Sequence, residues 1–288
     1  MRPGLSIVTP SFRQLDWLKL CTASIADQAG VTLEHLVQDA GSGPELEAWG
    51  TAEMARRRGD DRAFQLVVEK DRGMYDAINR GLRRAEGEIL AYLNCDEQYL
   101  PGALAAVAQF FQTHPRVQVA FGHAIVIDPQ GRHLCNRQAV LPGKAHTWVS
   151  GNLAILTCAT FFRRAVVHER GLLFQPERCA IGDGEWVMRL LDERVPMAVL
   201  PRFTSSFVET GENMMLSQRA VQEQRALIAS APAWMRAARP GLVAGYRLRK
   251  LLAGGYRRDP LEYAIYTPAS PEARVAFRVE KPSNRWVR

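Results

Sequence analysis

Short apolar runs alternate with helix-period segments through the first hundred residues. Leu5-Ser6-Ile7-Val8-Thr9, broken at Pro10, predicts a buried first strand. Ser11-Phe12-Arg13 makes a loop, and Leu15, Leu18, Thr22 and Ile25 then recur at helical spacing. A second run at 33–37 ends in Gln38-Asp39-Ala40-Gly41-Ser42-Gly43, and a helical stretch over 45–58 leads to a third run at 64–68. A charged turn, Glu69-Lys70-Asp71-Arg72-Gly73, opens a helix with Met74, Ala77, Ile78, Gly81, Leu82 and Ala85 on one face, stopped by Gly87. Ile89-Leu90-Ala91-Tyr92-Leu93 is the fourth run. Runs this short and this continuously apolar suit strands covered on both faces. Their alternation with helices predicts a parallel, doubly wound α/β sheet with right-handed crossovers.

Beyond residue 100 the pattern is looser. Pro101 stands at a helix first turn, with Leu104, Val107, Ala108 and Phe111 as its apolar face. Runs at 117–127 and 133–140 flank Asp128-Pro129-Gln130-Gly131, which predicts a hairpin. Residues 141–152, with two glycines and few apolar positions, read as a mobile loop, and 153–162 as a strand. Ile181-Gly182-Asp183-Gly184 leads into a helix bearing Trp186, Val187, Leu190 and Leu191; short strands follow at 197–200 and 203–208, then a helix over 217–231. After Pro232 five prolines punctuate a basic, partly helical segment, so the expected division is a main domain at 1–232 and an extension at 233–288.

Composition narrows the class. An apolar share of 47% is that of a soluble globular protein, and no apolar run reaches the roughly 20 residues that span a bilayer. The chain passes from Met1 almost directly into a strand, so no secretory signal is expected. Five cysteines without metal-ligand spacing predict reduced thiols and a cytoplasmic location. The net charge of +7 is concentrated late: residues 236–288 hold 12 Lys/Arg and 4 Asp/Glu. The rest of the chain is near neutral and calls for no nucleic-acid partner.

The chemistry lies in acids at consecutive strand ends: Asp39, Asp71 and Asp96. Parallel neighbours would bring all three to one rim, outside the carboxyl ends of the strands, where open α/β sheets take ligands. Carboxylates repel a diphosphate unless a divalent cation stands between, so this rim predicts Mg2+ or Mn2+ with Asp96 as its ligand. Singly, each acid also fits a turn former or a cap. Asp76 either satisfies a helix N-terminus or holds the loop before it. Asp183, between two glycines, fits both an N-cap and a general base, and Trp186 fits both the core and a sugar-stacking platform.

These blocks, taken in order, resemble the family 2 glycosyltransferases, inverting enzymes of the GT-A fold, and polysaccharide-assembly members in particular. The similar blocks are Ser6-Ile7-Val8-Thr9-Pro10-Ser11-Phe12, Gln38-Asp39-Ala40-Gly41-Ser42, the whole of 69–81, Leu93-Asn94-Cys95-Asp96-Glu97, Ala159-Thr160-Phe161-Phe162-Arg163-Arg164, and Gly182-Asp183 with Arg189. The resemblance implies a Rossmann-like, mostly parallel sheet with flanking helices, and a transferase of the hexosyl type using a UDP-sugar. It implies that Thr9, Pro10, Phe12, Asp39, Asp71 and Gly73, with Asp76, serve the nucleoside, that Asp96 holds Mn2+ or Mg2+, and that Asp183 deprotonates an acceptor hydroxyl. Asn94, Glu97, Thr157, Trp186 and Arg189 fall in the donor- and acceptor-side blocks. The acceptor would be a glycan or a lipid-linked glycan of the cell surface. The chain departs from the family pattern at Asn94 (usually Asp), Glu97 (often Asp), Thr157 (often His) and Gly182 (often Glu). Glu209 and Glu212 are candidates for a further metal contact. The basic tail, with Val243, Tyr246, Arg247, Leu248, Arg249, Lys250, Leu251 and Leu252, reads as a patch on the inner membrane surface, as a solvated helix packed on the domain, or as a partner interface. A nucleotidyltransferase is the runner-up enzyme class, although 9–13 is a poor phosphate loop; a non-catalytic sugar-nucleotide binder is the third reading.

Overall fold

The structure is a computed structural model describing residues 4–60, 62–178, 181–211 and 217–286; Cys179 and Glu212 lie outside the described residues. The elements run β1 (Leu5–Ser11), α1 (Leu15–Ala26), β2 (Leu33–Asp39), α2 (Pro44–Arg56), β3 (Arg62–Val68), α3 (Met74–Arg84), β4 (Ile89–Tyr92), β5 (Gln98–Tyr99), α4 (Ala103–Thr113), β6 (Val119–Ile127) and β7 (His133–Arg137). They continue with α5 (Lys144–Ser150), a 3-10 turn (Thr157–Ala159), β8 (Thr160–Arg163), α6 (Arg164–His168), α7 (Gly182–Asp192), β9 (Met197–Val208), α8 (Gln218–Ser230), α9 (Ala233–Ala237), α10 (Arg239–Leu252), β10 (Leu261–Thr267) and β11 (Ser270–Val279).

Nine strands form one sheet in the order β3-β2-β1-β4-β8-β6-β9-β5, with β7 added to β6. β1 sits between two parallel partners, Val8 facing Leu36 of β2 and Tyr92 of β4. Every residue of β1, β2 and β4 is buried, as the unbroken apolar runs predict. Successive side chains point to opposite faces. Val8, Leu90 and Phe162 pack with Ile78, Leu82 and Val187 on one face, whereas Ile7, Ala91 and Phe161 pack with Ile25, Leu104 and Phe111 on the other. Helix α3 lies close on β1 because position 81 is glycine: a Cβ there would come within 2.4 Å of Val8 Cγ1.

Register levels the strand ends. Ser11 is opposite Asp39, and Asp39 opposite Val68. The Glu69 amide donates to Asp39 O at 2.8 Å and that of Leu93 to Val8 O at 2.9 Å. The loops after β1, β2, β3 and β4 therefore leave the sheet along one rim.

The later chain differs from the sequence reading in four places. Residues 144–150 form helix α5 instead of a mobile loop: His146, Thr147 and Val149 are buried, and His146 stacks on Tyr246 at 4.0 Å. Tertiary packing makes a helix where polarity predicts none. Within 153–162 only the last residues pair as strand β8, after the 3-10 turn. The two short strands at 197–208 are one strand, β9, with register shifts against β6 near His123. The basic tail carries a hairpin, β10–β11, that its prolines disguise. Tyr263 and Ile265 turn inward, the Tyr263 hydroxyl donates to Gly131 O at 2.7 Å, and Arg274 pairs with Asp27, just past the end of α1, at 2.5 Å.

Candidate active site

Along the rim after β2 and β3, the acids divide by how completely the protein satisfies them. Asp39 is fully buried and its carboxylate folds the following loop: Oδ1 accepts the amides of Gly41 (2.9 Å) and Ser42 (2.7 Å), and Oδ2 accepts the Ser42 hydroxyl (2.6 Å). The Arg13 amide donates to Ser42 Oγ at 2.7 Å, joining the loops after β1 and β2. Asp76 is 5% exposed and accepts the Arg72 amide at 3.2 Å and Arg80 at 3.0 Å. Burial opposes its charge, but the Arg72 amide, the Arg72 guanidinium and Arg80 outweigh burial and hold the carboxyl below its ordinary range. Asp71 spends Oδ1 on the Gly73 amide (2.9 Å), and burial raises it. Gly73 is exposed at a φ of 123°, where a side chain would be strained.

One member of the opening block behaves differently from expectation. Thr9 is fully buried, with its hydroxyl against His35 Nε2 at 2.9 Å and Cys21 Sγ at 3.8 Å, so its side chain braces β1 on β2. The alternation of β1 decides this. Phe12, past the strand end, is 51% exposed with the Arg13 guanidinium 4.8 Å over its ring, and offers a stacking face. Pro10 O accepts the Cys95 thiol at 3.1 Å, tying the β1 end to the acid turn after β4.

That turn is closed by its own residues. The Asn94 amide donates to Glu97 Oε2 at 2.8 Å and the Glu97 amide to Asn94 O at 3.1 Å. Glu97 is 1% exposed, so it faces inward and holds the turn; a direct donor contact is not open to it. Asp96, next to it, is half-buried and makes no hydrogen bond or ion pair with another described residue. Burial raises both carboxyls, and the Asp96 charge raises Glu97 further. Asn94 Oδ1 and Glu97 Oε1 are buried without a hydrogen-bond partner. Among the described residues no three His, Cys, Asp or Glu gather as a ready metal site. Hard oxygen donors are nonetheless present in the Asp96 carboxylate and the orphaned Asn94 amide oxygen. They fit Mg2+ or Mn2+, which commonly takes one or two carboxylates and fills its shell with water and phosphate. Glu209 is engaged by the Trp286 indole N–H.

On the other side of the rim, Asp183 stands in the first turn of α7. Its amide donates to the Tyr75 hydroxyl at 3.1 Å, and its Oδ1 accepts the Gly184 amide at 2.8 Å. Burial pushes the carboxyl up to about 6. Gly182 has a packing cause: a Cβ would fall 2.5 Å from the Tyr75 ring, so the larger residue frequent in the resembled family does not fit over this tyrosine. Tyr75 stacks on Phe174 (5.4 Å) and Tyr92 meets Phe174 edge-on (5.3 Å). Burial raises the Tyr92 phenol, and the charges of Tyr75, Asp183 and Glu97 add to it. Tyr75, Phe174 and Tyr92 thus link the start of α7 to the end of β4, just before the acid turn.

Trp186 is core: it is 2% exposed, stacks on Phe174 at 5.0 Å, and donates its indole N–H to Leu172 O at 2.8 Å. Arg189 is committed to the scaffold, bonding Leu173 O and pairing with Glu185 at 2.8 Å. Thr157 opens the 3-10 turn beside β4 and is half-buried. Sequence reasoning passed over Tyr75 and Asn79. Asn79 clamps the Phe174 backbone from both sides, at 2.7 and 2.9 Å. Its signal was a polar residue at the apolar spacing of α3.

A curled, mostly parallel sheet flanked by helices, with its acids gathered on one rim, is a GT-A-type architecture. The chain belongs to glycosyl transferase family 2, whose model matches residues 6–171. It is 32% identical over 127 residues to a PGL/p-HBAD biosynthesis glycosyltransferase of Mycobacterium bovis, covering 43% of this chain and 48% of the relative. It is 31% identical over 132 residues to the O-antigen biosynthesis protein RfbC of Myxococcus xanthus, covering 45% of this chain and 10% of that protein. The match to the mycobacterial relatives spans about half of their length. Among solved structures, S. aureus TarS 1-349 in complex with UDP-GlcNAc superposes with a TM-score of 0.60 at 16% identity, over 86% of this chain and 73% of that one. The mannosyltransferase PcManGT of Pyrobaculum calidifontis, in complex with GDP-Man and Mn2+, gives 0.53 at 17% identity, over 88% and 80%. These two likenesses concern the fold.

Proposed function

We propose that the protein is an inverting glycosyltransferase that moves a sugar from a nucleotide-sugar, a UDP-sugar by preference, to a hydroxyl of a glycan or lipid-linked glycan. The observation that carries this reading is the pair Asp96 and Asp183. Both are half-buried, both are raised by burial, and neither is neutralised by a cationic side chain. Carboxylates left so are uncommon unless a ligand completes them. The names of the relatives, one in PGL/p-HBAD and one in O-antigen biosynthesis, favour a cell-surface product.

The loop folded by Asp39 and the ring of Phe12 receive the nucleoside, and Asp71 and Gly73 line its other edge. Asp96, with Asn94, would hold Mg2+ or Mn2+, whose positive charge offsets that of the diphosphate when bound. Asp183 takes the proton of the acceptor hydroxyl as that oxygen bonds to the anomeric carbon. The bond from that carbon to the diphosphate oxygen breaks on the opposite face, the nucleoside diphosphate leaves with the electron pair, and configuration inverts. A carboxyl raised to about 6 suits this role: it stays ionised at neutral pH and is a stronger base than an ordinary Asp. Nucleoside diphosphate release with Mn2+ tests the proposal. Asp183→Asn should lower turnover by roughly 10²–10⁴-fold with donor affinity retained; unchanged turnover would remove Asp183 as base.

A further inference from the structure

Helix α10 is inside out. Leu248, Leu251 and Leu252 are 56, 58 and 78% exposed, whereas Lys250 is 7% exposed. Gly241, Ala244 and Gly245 are exposed too, and together these six positions follow helical spacing, so they form one outward stripe without a charge. Arg247 and Arg249 border it. A helix that merely covers a domain would place the leucines below and the lysine in water.

The orientation is fixed from beneath. Tyr246 stacks on His146 of α5 at 4.0 Å. The Lys250 stem lies against Gly255, where a Cβ would come within 2.6 Å of Lys250 Cγ, and its ammonium sits 5.1 Å from the centre of the Tyr256 ring. Turning α10 to hide the leucines would break each of these contacts. Beyond the helix end, Leu251, Leu252, Tyr256 and Arg257 surround a shallow cleft of about 300 Å3.

Charge decides what covers the stripe. Residues 233–258 contain seven Lys/Arg and no Asp/Glu, and the preceding short helix adds Trp234, 65% exposed. A second copy meeting this face about a two-fold axis would set arginine against arginine. An anionic lipid surface supplies both of the complements needed, phosphates for the arginines and an acyl boundary for the leucines. Among the described residues no helix is long and apolar enough to cross a membrane, so this would be a face that lies on one. We propose that the α10 stripe, Leu248, Leu251 and Leu252 with Arg247, Arg257 and Arg258 around it, is an in-plane docking surface for an anionic bilayer. Because α10 packs on α5 and α5 on α7, docking sets the Asp183 helix two packed helices away from the lipid, which on the transferase reading favours a lipid-linked acceptor.

Flotation of the full chain with phosphatidylcholine vesicles, with and without phosphatidylglycerol, tests docking without any sugar donor or acceptor, so it stands or falls apart from the catalytic proposal. The wild type should float with the anionic vesicles and be released by salt. The combined Leu248→Ser, Leu251→Ser and Leu252→Ser variant should bind at least about tenfold more weakly, with an unchanged melting temperature because these side chains are already in water. The combined Arg247→Gln, Arg257→Gln and Arg258→Gln variant should lose roughly fivefold per charge and most of the salt sensitivity. Wild type that stays with the protein fraction at low salt overturns the proposal. So does equal flotation of the serine variant, or a leucine-dependent dimer in sedimentation without flotation.

Discussion

Asp39, at the end of β2, and Asp96, in the turn after β4, stand on the same sheet rim with β1 between them, yet they are opposites in what surrounds them. Asp39 receives three donors from its own loop within 2.9 Å and is completed by the protein. Asp96 receives nothing from another described residue and is raised by burial. Asp76 and Asp183, each in the first turn of a helix, repeat the contrast: two arginines and an amide hold Asp76 below its ordinary range, whereas Asp183 has one neighbouring amide and rises to about 6. A carboxylate satisfied by the chain is part of the scaffold. One left unsatisfied marks where something from outside is to be received.

The contrast breaks most visibly in paired substitutions read for both turnover and stability. After Asp183→Asn, the largest activity loss should come from Asp96→Asn, at roughly 10²-fold or more, together with loss of the response to added Mn2+. Its melting temperature should hold or rise, because an uncompensated half-buried charge has been removed. Asp39→Asn should do the reverse to stability. One of three donors loses its acceptor, and chemical denaturation should show a loss of about 1–3 kcal/mol with weaker donor binding. If both substitutions moved stability in the same direction, the division of the rim into scaffold and receiving acids would be wrong.

A smaller effect on turnover should follow from Gly182→Ala. The added methyl would meet the Tyr75 ring at 2.5 Å, and Tyr75 is 4% exposed and stacked on Phe174, so it has little room to yield. The start of α7 should shift instead, loosening the bond from the Asp183 amide to Tyr75. We expect a loss of about 1–3 kcal/mol in stability and a fall in kcat larger than any change in donor KM.

β1, β2 and β4 were legible because each is buried on both faces, and burial on both faces writes an unbroken apolar run. β3, at the sheet edge, buries only Phe64 and was legible from its short apolar run alone. β5, two residues long, and the β10–β11 hairpin were not. The hairpin buries one face only, and Pro260, Pro268 and Pro271 mask its alternation. Helix α5 was missed because its order comes from α10, a hundred residues on. In the candidate site the positions of the acids could be read, but their condition could not. Nothing in the letters distinguishes Asp39 from Asp96, since the difference lies in which amides fold back onto each. Thr9, Trp186 and Arg189 fell inside recognisable blocks and proved to serve the scaffold: strand alternation turns Thr9 inward, and Leu172 O and Leu173 O take polar groups of the other two.

The gentlest test at working pH uses the raised Asp183 carboxyl itself, because one proton should leave two signatures of opposite sign. As a base, Asp183 must be ionised, so kcat/KM should fall about tenfold per pH unit below about 6 and stay nearly flat from 7 to 8. For stability, a folded value raised above the unfolded one means the native state binds the proton more tightly. Stability linked to Asp183 is then fully present below the unfolded value near 3.8 and is lost as pH rises through about 6. Activity should therefore climb through the same window in which this part of stability declines. Asp183→Asn should flatten the stability profile over that window relative to wild type. An acid limb of activity near 6 without the matching stability slope would assign the titration to another group, and the base would have to be sought elsewhere on the rim.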